Sequence, residues 1–115
     1  MRRGERDAVQ FATDLLRYYS IEVSELSTMV LLTQCRDATE LQGEAAFLAS
    51  CRVHRITAPI SRRAFRILKN LPPPSPLSAD DALVAATALE HKLPLYTLDP
   101  PKYAGVAGLS AIQPY

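Results

Sequence analysis

The chain alternates short apolar stretches with helix-length segments, and no Asn-Gly, Asp-Gly or Gly-Gly pair joins neighbouring stretches. Antiparallel hairpins are commonly closed by such pairs, whereas parallel strands need long crossovers, usually helical. This pattern predicts an α/β layered fold in which a short, mainly parallel sheet is flanked by helices. Residues 5–19, "ERDAVQFATDLLRYY", place Val9, Ala12, Leu15, Leu16 and Tyr19 at the spacing of an amphipathic helix. "SIEVS" alternates Ile21 and Val23 as a short strand. "STMVLLTQC" then predicts a helix capped by Ser27 or Thr28, and "ATELQGEAAFLASC" a second one through Leu41, Ala45, Leu48 and Cys51. "RVHRI" supplies a strand, and Pro59 with Ser61 opens the helix "SRRAFRILKN". The prolines of "LPPPSP" force a loop. Ser78 and Asp81 form an S-x-x-D box at the start of a helix ending near His91 and Lys92. "LPLYT" is a short buried strand, "LDPPKYAG" a turn, and "LSAI" a last edge strand.

A chain of 115 residues with 48% apolar and 22% charged residues reads as one globular domain. Its formal net charge of +1 gives no reason to expect a strong nucleic-acid field from the whole molecule, and leaves local patches open. No apolar run approaches the roughly 20 residues that span a bilayer, so no membrane association is expected. "MRRGERDAVQ" is basic but not followed by an apolar region, which reads as a cytoplasmic protein without a secretory signal. Cys35 and Cys51 form no CxxC pair, and His54 and His91 are not closely spaced, so zinc spacing is absent and two semi-buried free thiols are expected.

Two acidic positions carry the candidate chemistry. In open parallel sheets, ligands gather beyond the carboxyl ends of the strands, and Asp99 stands just after "LPLYT". Asp81 lies in the first turn of the preceding helix. A short helix-to-strand connection makes that helix antiparallel to the strand, which brings its N-terminus to the same sheet edge. Two carboxylates there suit Mg2+, which needs only one or two and keeps several waters. On spacing alone the structural reading comes first: Asp80 and Asp81 favour a helix N-terminus, and Asp99 before two prolines is a turn residue. Arg62, Arg63, Arg66 and Lys69 make a basic helix face that reads as solvated, with RNA-backbone contact as the other reading. His54 and His91 read as surface or helix-end residues, and Tyr18–Tyr19 as packing or a dimer surface.

"ADDALVAATALEHKLPLYTLDPPKYAGVAGL" resembles the C-terminal part of PIN-domain proteins, particularly the VapC-like toxins of toxin–antitoxin systems. The matching positions are Asp81, the helix over 82–89, Thr97, Asp99, Tyr103 and Gly108-Leu109. The resemblance implies a Mg2+- or Mn2+-dependent endoribonuclease with RNA as substrate, an antitoxin protein as partner, and a homodimer. It implies a site of four acids. The third and fourth match Asp81 and Asp99, the expected catalytic and metal-binding residues, with Thr97 orienting a metal-bound water.

The sequence departs from that pattern twice. "MRRGERDAVQ" resembles the segment after the first strand, so the strand with its Asp-Thr-Asn is missing and 1–115 reads as an N-terminally truncated domain. Val30 stands where the second acid, a Glu, is expected; Glu25 reads first as a solvated loop glutamate, with replacement of that acid as the other reading. The implied sheet order is 3-2-1-4-5, so losing the first strand leaves two half-sheets. The resulting expectation is an impaired nuclease with weak metal binding; the alternative is an inactive remnant that dimerises or binds an antitoxin.

Overall fold

Strand and helix share a residue near the start of the described residues. The computed structural model describes residues 21–114, so the helix expected over 5–19 and the Tyr18–Tyr19 pair lie outside the described residues. Strand β1 (Glu22–Ser24) runs directly into helix α1 (Glu25–Thr33). Ser24 keeps extended backbone angles, and its hydroxyl accepts the Leu26 N–H at 3.2 Å, a typical N-cap bond. The helix therefore begins earlier than a cap at Ser27 or Thr28 would allow. The Thr28 hydroxyl instead donates to the Glu25 carbonyl at 2.6 Å, one turn inside the helix. Asp37 caps α2 (Ala38–Ala49) by accepting the Glu40 N–H at 2.8 Å.

The described residues fall into two compact units, one ending at Arg55 and the other spanning Ile56–Pro114. In the first unit β1 pairs in parallel with β2 (Arg52–His54), Val23 opposite Val53 and Ser24 opposite His54. His54 is buried, contrary to the surface position expected of it. The parallel register explains why: its Nε2 meets Glu22 Oε1 on the neighbouring strand at 2.6 Å, which satisfies the ring where water is excluded.

In the second unit α3 (Ala58–Asn70) lies against α4 (Ala79–Glu90). Thr57 caps α3 and Pro59 occupies its first turn, so Ser61 is inside the helix rather than near its cap. Ile60 and Ala64 on α3 pack with Ala82 and Ala86 on α4. Ala82, Ala85 and Ala86 are completely buried, and their small side chains suit a close approach of neighbouring elements. A second cluster joins Leu71, Leu77, Ala85, Tyr103 and Val106, so α4 contributes to both. Glu90, the last residue of α4, ion-pairs with Arg63 at 2.7 Å.

Strand β3 (Leu95–Tyr96) leads to a short 3-10 helix (Pro100–Tyr103), and β4 (Ala111–Ile112) pairs in parallel with β3. Gly108 has φ +80°, a conformation glycine adopts without side-chain strain, just before the chain enters β4. Both strand pairs are parallel, as the alternating pattern predicts, and among the described residues no strand joins one pair to the other. Cys35 and Cys51 are free and half-buried. No described helix is long and apolar enough to cross a membrane.

Candidate active site

Asp81 is held first by its own helix. Its backbone N–H donates to Ser78 Oγ at 3.1 Å, and its Oδ2 accepts the Ser78 N–H at 3.0 Å. These reciprocal bonds are the capping box that the S-x-x-D spacing predicts. They satisfy two donors that a helix N-terminus otherwise leaves unpaired.

The second hold on Asp81 comes from the turn after β3. Asp99 donates its N–H to Thr97 Oγ1 at 3.1 Å, and the Lys102 N–H reaches the Asp99 carbonyl at 3.3 Å. Pro100 and Pro101 fix φ between them. That geometry delivers two side chains to one oxygen. Lys102 Nζ lies 3.2 Å from Asp81 Oδ1, and the Tyr103 hydroxyl donates to the same oxygen at 3.4 Å. The ammonium also sits 5.4 Å from the Tyr103 ring centroid, within cation–π range. Tyr103 itself is buried in the second unit's core, which anchors the turn.

The electrostatics follow from these contacts. Burial pushes the Asp81 carboxyl up, but the Ser78 N–H and the Lys102 ammonium together outweigh it and leave the group below its ordinary value. Tyr103 is pushed up to about 12, by burial first and then by the negative charges of Asp81 and Asp99. The phenol is thus a donor at neutral pH, and it feels both candidate carboxylates. Asp99 itself is exposed.

A divalent cation would need free lone pairs on these acids. A carboxylate offers about four, and three on Asp81 already accept from Ser78, Lys102 and Tyr103. Among the described residues no three His, Cys, Asp or Glu side chains gather into a metal-holding group. The donor set as arranged does not fit Mg2+ or Mn2+. Thr97, expected to orient a metal-bound water, uses its hydroxyl oxygen to accept the Asp99 N–H.

The PIN domain family matches the chain over residues 2–103. The chain belongs to that family. No curated protein matches it significantly. Among solved structures, this PIN domain is similar to a toxin–antitoxin complex from Klebsiella pneumoniae, with TM-score 0.72 and 22% identity over 92% of this chain and 85% of that one. It is also similar to FitAcB from Neisseria gonorrhoeae, with TM-score 0.68 and 18% identity over 96% of this chain and 85% of that one. A third similar structure is VapBC2 from Rickettsia felis bound to a DNA fragment from their promoter, with TM-score 0.67 and 16% identity over 90% and 82%. At these identities the likeness establishes the fold.

The remaining candidate positions are less suited to metal chemistry. Val30 is half-buried on α1 of this PIN domain and offers no ligand atom. Glu25 is the first residue of α1 rather than a loop residue, and it pairs with Arg55 at 3.1 Å. On α3, Arg62, Arg66 and Lys69 are exposed while Arg63 is engaged by Glu90. The residue that sequence reasoning missed is Lys102. Its only local signal is the rigid Asp-Pro-Pro-Lys-Tyr run, which fixes where the side chain starts but not which acid it meets.

Proposed function

We propose that this PIN domain is a toxin of the VapC type, built on an RNA-cleaving, metal-dependent framework whose nuclease activity is impaired in this chain. Family membership supports the framework, and the similar structure from Klebsiella pneumoniae, a toxin–antitoxin complex, supports the toxin role and an antitoxin partner. The single observation that carries the impairment is the occupation of Asp81. Cleaving a phosphodiester requires positive charge where negative charge builds on the phosphate. In nucleases of this kind a bound metal supplies that charge and activates water. Here the cation nearest Asp81 is Lys102, and its charge is already matched by the carboxylate it touches. Val30, at the position where an acid is expected, adds no ligand.

A second reading is a non-cutting module that dimerises or binds an antitoxin. It is favoured by α1, whose sequence "ELSTMVLLT" is apolar yet has no buried residue. Met29 and Leu31 on α1 and Leu41 on α2 are exposed, which leaves apolar surface for a partner to cover.

The test is cleavage of a structured RNA with Mg2+ or Mn2+, using Asp81→Asn to reveal contaminating nuclease. The unmodified chain should cut no faster than that control. Robust cleavage that disappears in Asp81→Asn would make this chain a working nuclease and overturn the reading.

A further inference from the structure

We propose that Lys102 is the resident cation of the Asp81 carboxylate, so that Asp81 accepts a divalent ion only when the Lys102 ammonium leaves. The proposal deepens the reading above and rests on it in one respect, that Asp81 is the carboxylate this site offers to a cation.

The turn that carries Asp99 also carries the competitor. Lys102 starts from a backbone pinned on both sides: its N–H is bonded to the Asp99 carbonyl, two prolines precede it, and buried Tyr103 follows. The neighbouring phenol donates to the same Oδ1 that the ammonium touches, so the two side chains approach that oxygen together. On the other side Oδ2 is committed to the helix cap through Ser78. Neither oxygen is idle.

A divalent ion drawn to Oδ1 would have to share that oxygen with the ammonium, which lies 3.2 Å from it. Two cations would then stand within a few ångströms of each other, and their repulsion opposes binding at a site only partly screened by water. The Lys102 and Asp81 side chains are 30% and 24% exposed, so the ammonium has a route to solvent and the exchange needs no unfolding. Lys102 acts here as a positioning and gating residue for the carboxylate.

Mn2+ binding, followed by the electron paramagnetic resonance signal of the free ion, tests this without any reference to RNA. The unmodified chain is compared with Lys102→Gln and Lys102→Met, which keep much of the side chain's length without its charge, and with each change combined with Asp81→Asn. Thermal melts establish that each variant is folded. Both Lys102 variants should bind Mn2+ about tenfold more tightly than the unmodified chain, and Asp81→Asn should abolish the gain. Unchanged affinity in both folded variants overturns the proposal, as does a gain that survives Asp81→Asn. RNA cleavage is scored separately. Asp81-dependent cutting by the unmodified chain would overturn the proposed function while leaving the Mn2+ comparison to decide on Lys102.

Discussion

Asp81→Asn removes a charge while keeping most of the shape, and its cost can be worked from the contacts. The asparagine carbonyl can still accept the Ser78 N–H, so the cap persists in weaker form. What disappears is the ion pair with Lys102, a partly water-accessible contact worth about 0.2–1 kcal/mol. Also lost is a negative charge in the first turn of α4, worth about 0.3–1 kcal/mol against the helix dipole. Together these give a loss of about 1 kcal/mol, or about 4 °C in Tm for a chain of this size. Asp81→Ala removes the Ser78 and Tyr103 bonds as well, and should cost about 2 kcal/mol.

The pH dependence gives this prediction its sharper form. The folded-state carboxyl titrates below its ordinary value of 3.8, so on acidification the unfolded chain takes up the proton first. The stability contributed by the charge is therefore fully present above about pH 4 and is lost as pH falls through the lowered folded value. Among the groups that face Asp81, Ser78 does not ionise and Tyr103, pushed up to about 12, keeps its proton throughout. Circular-dichroism melts of the unmodified chain and Asp81→Asn at pH 7 and pH 3 would measure the difference. The gap should be about 4 °C at pH 7 and shrink at pH 3. An equal gap at both pH values, or no gap at pH 7, would refute the assignment of the charge to these contacts.

Two other outcomes follow from the fold. The chain should self-associate through the apolar surface that includes Met29, Leu31 and Leu41; sedimentation showing only monomer at high micromolar concentration would count against it. Val30→Glu alone should raise Mg2+- or Mn2+-dependent RNA cleavage little, because Asp81 stays engaged by Ser78, Lys102 and Tyr103. Full rescue by the single substitution would sink that expectation.

Element order and parallel pairing were legible because they depend on local periodicity and connection length. The Ser78–Asp81 box was legible for the same reason, since both partners lie within one helical turn. The start of α1 was not, because Ser24 is at once the end of a strand and the cap of a helix. Spacing rules assign such a residue to one element only. His54 was misread because Glu22 lies 32 positions away and meets it only through strand register. Lys102 was overlooked for a similar reason: Asp81 is 21 positions away, and the contact depends on how the proline turn returns over α4. Pairs closed by tertiary geometry leave no periodic trace in a sequence.

The cap reading and the metal reading of Asp81 are therefore not independent alternatives. The same carboxylate that completes the α4 cap is neutralised by Lys102 from the facing turn. One negative charge meets one positive charge, and Asp99 remains exposed with no ion-pair partner among the described residues. The local balance at this end of the unit is thus negative, and a phosphodiester brought to it meets repulsion unless further cations arrive. Lys102 cannot answer both demands, because an ammonium released to face phosphate leaves Asp81 uncompensated. The residues that make α4 well capped and the turn well anchored are the same ones that withhold positive charge from a substrate. The impairment proposed for this chain rests on that charge balance as much as on Val30.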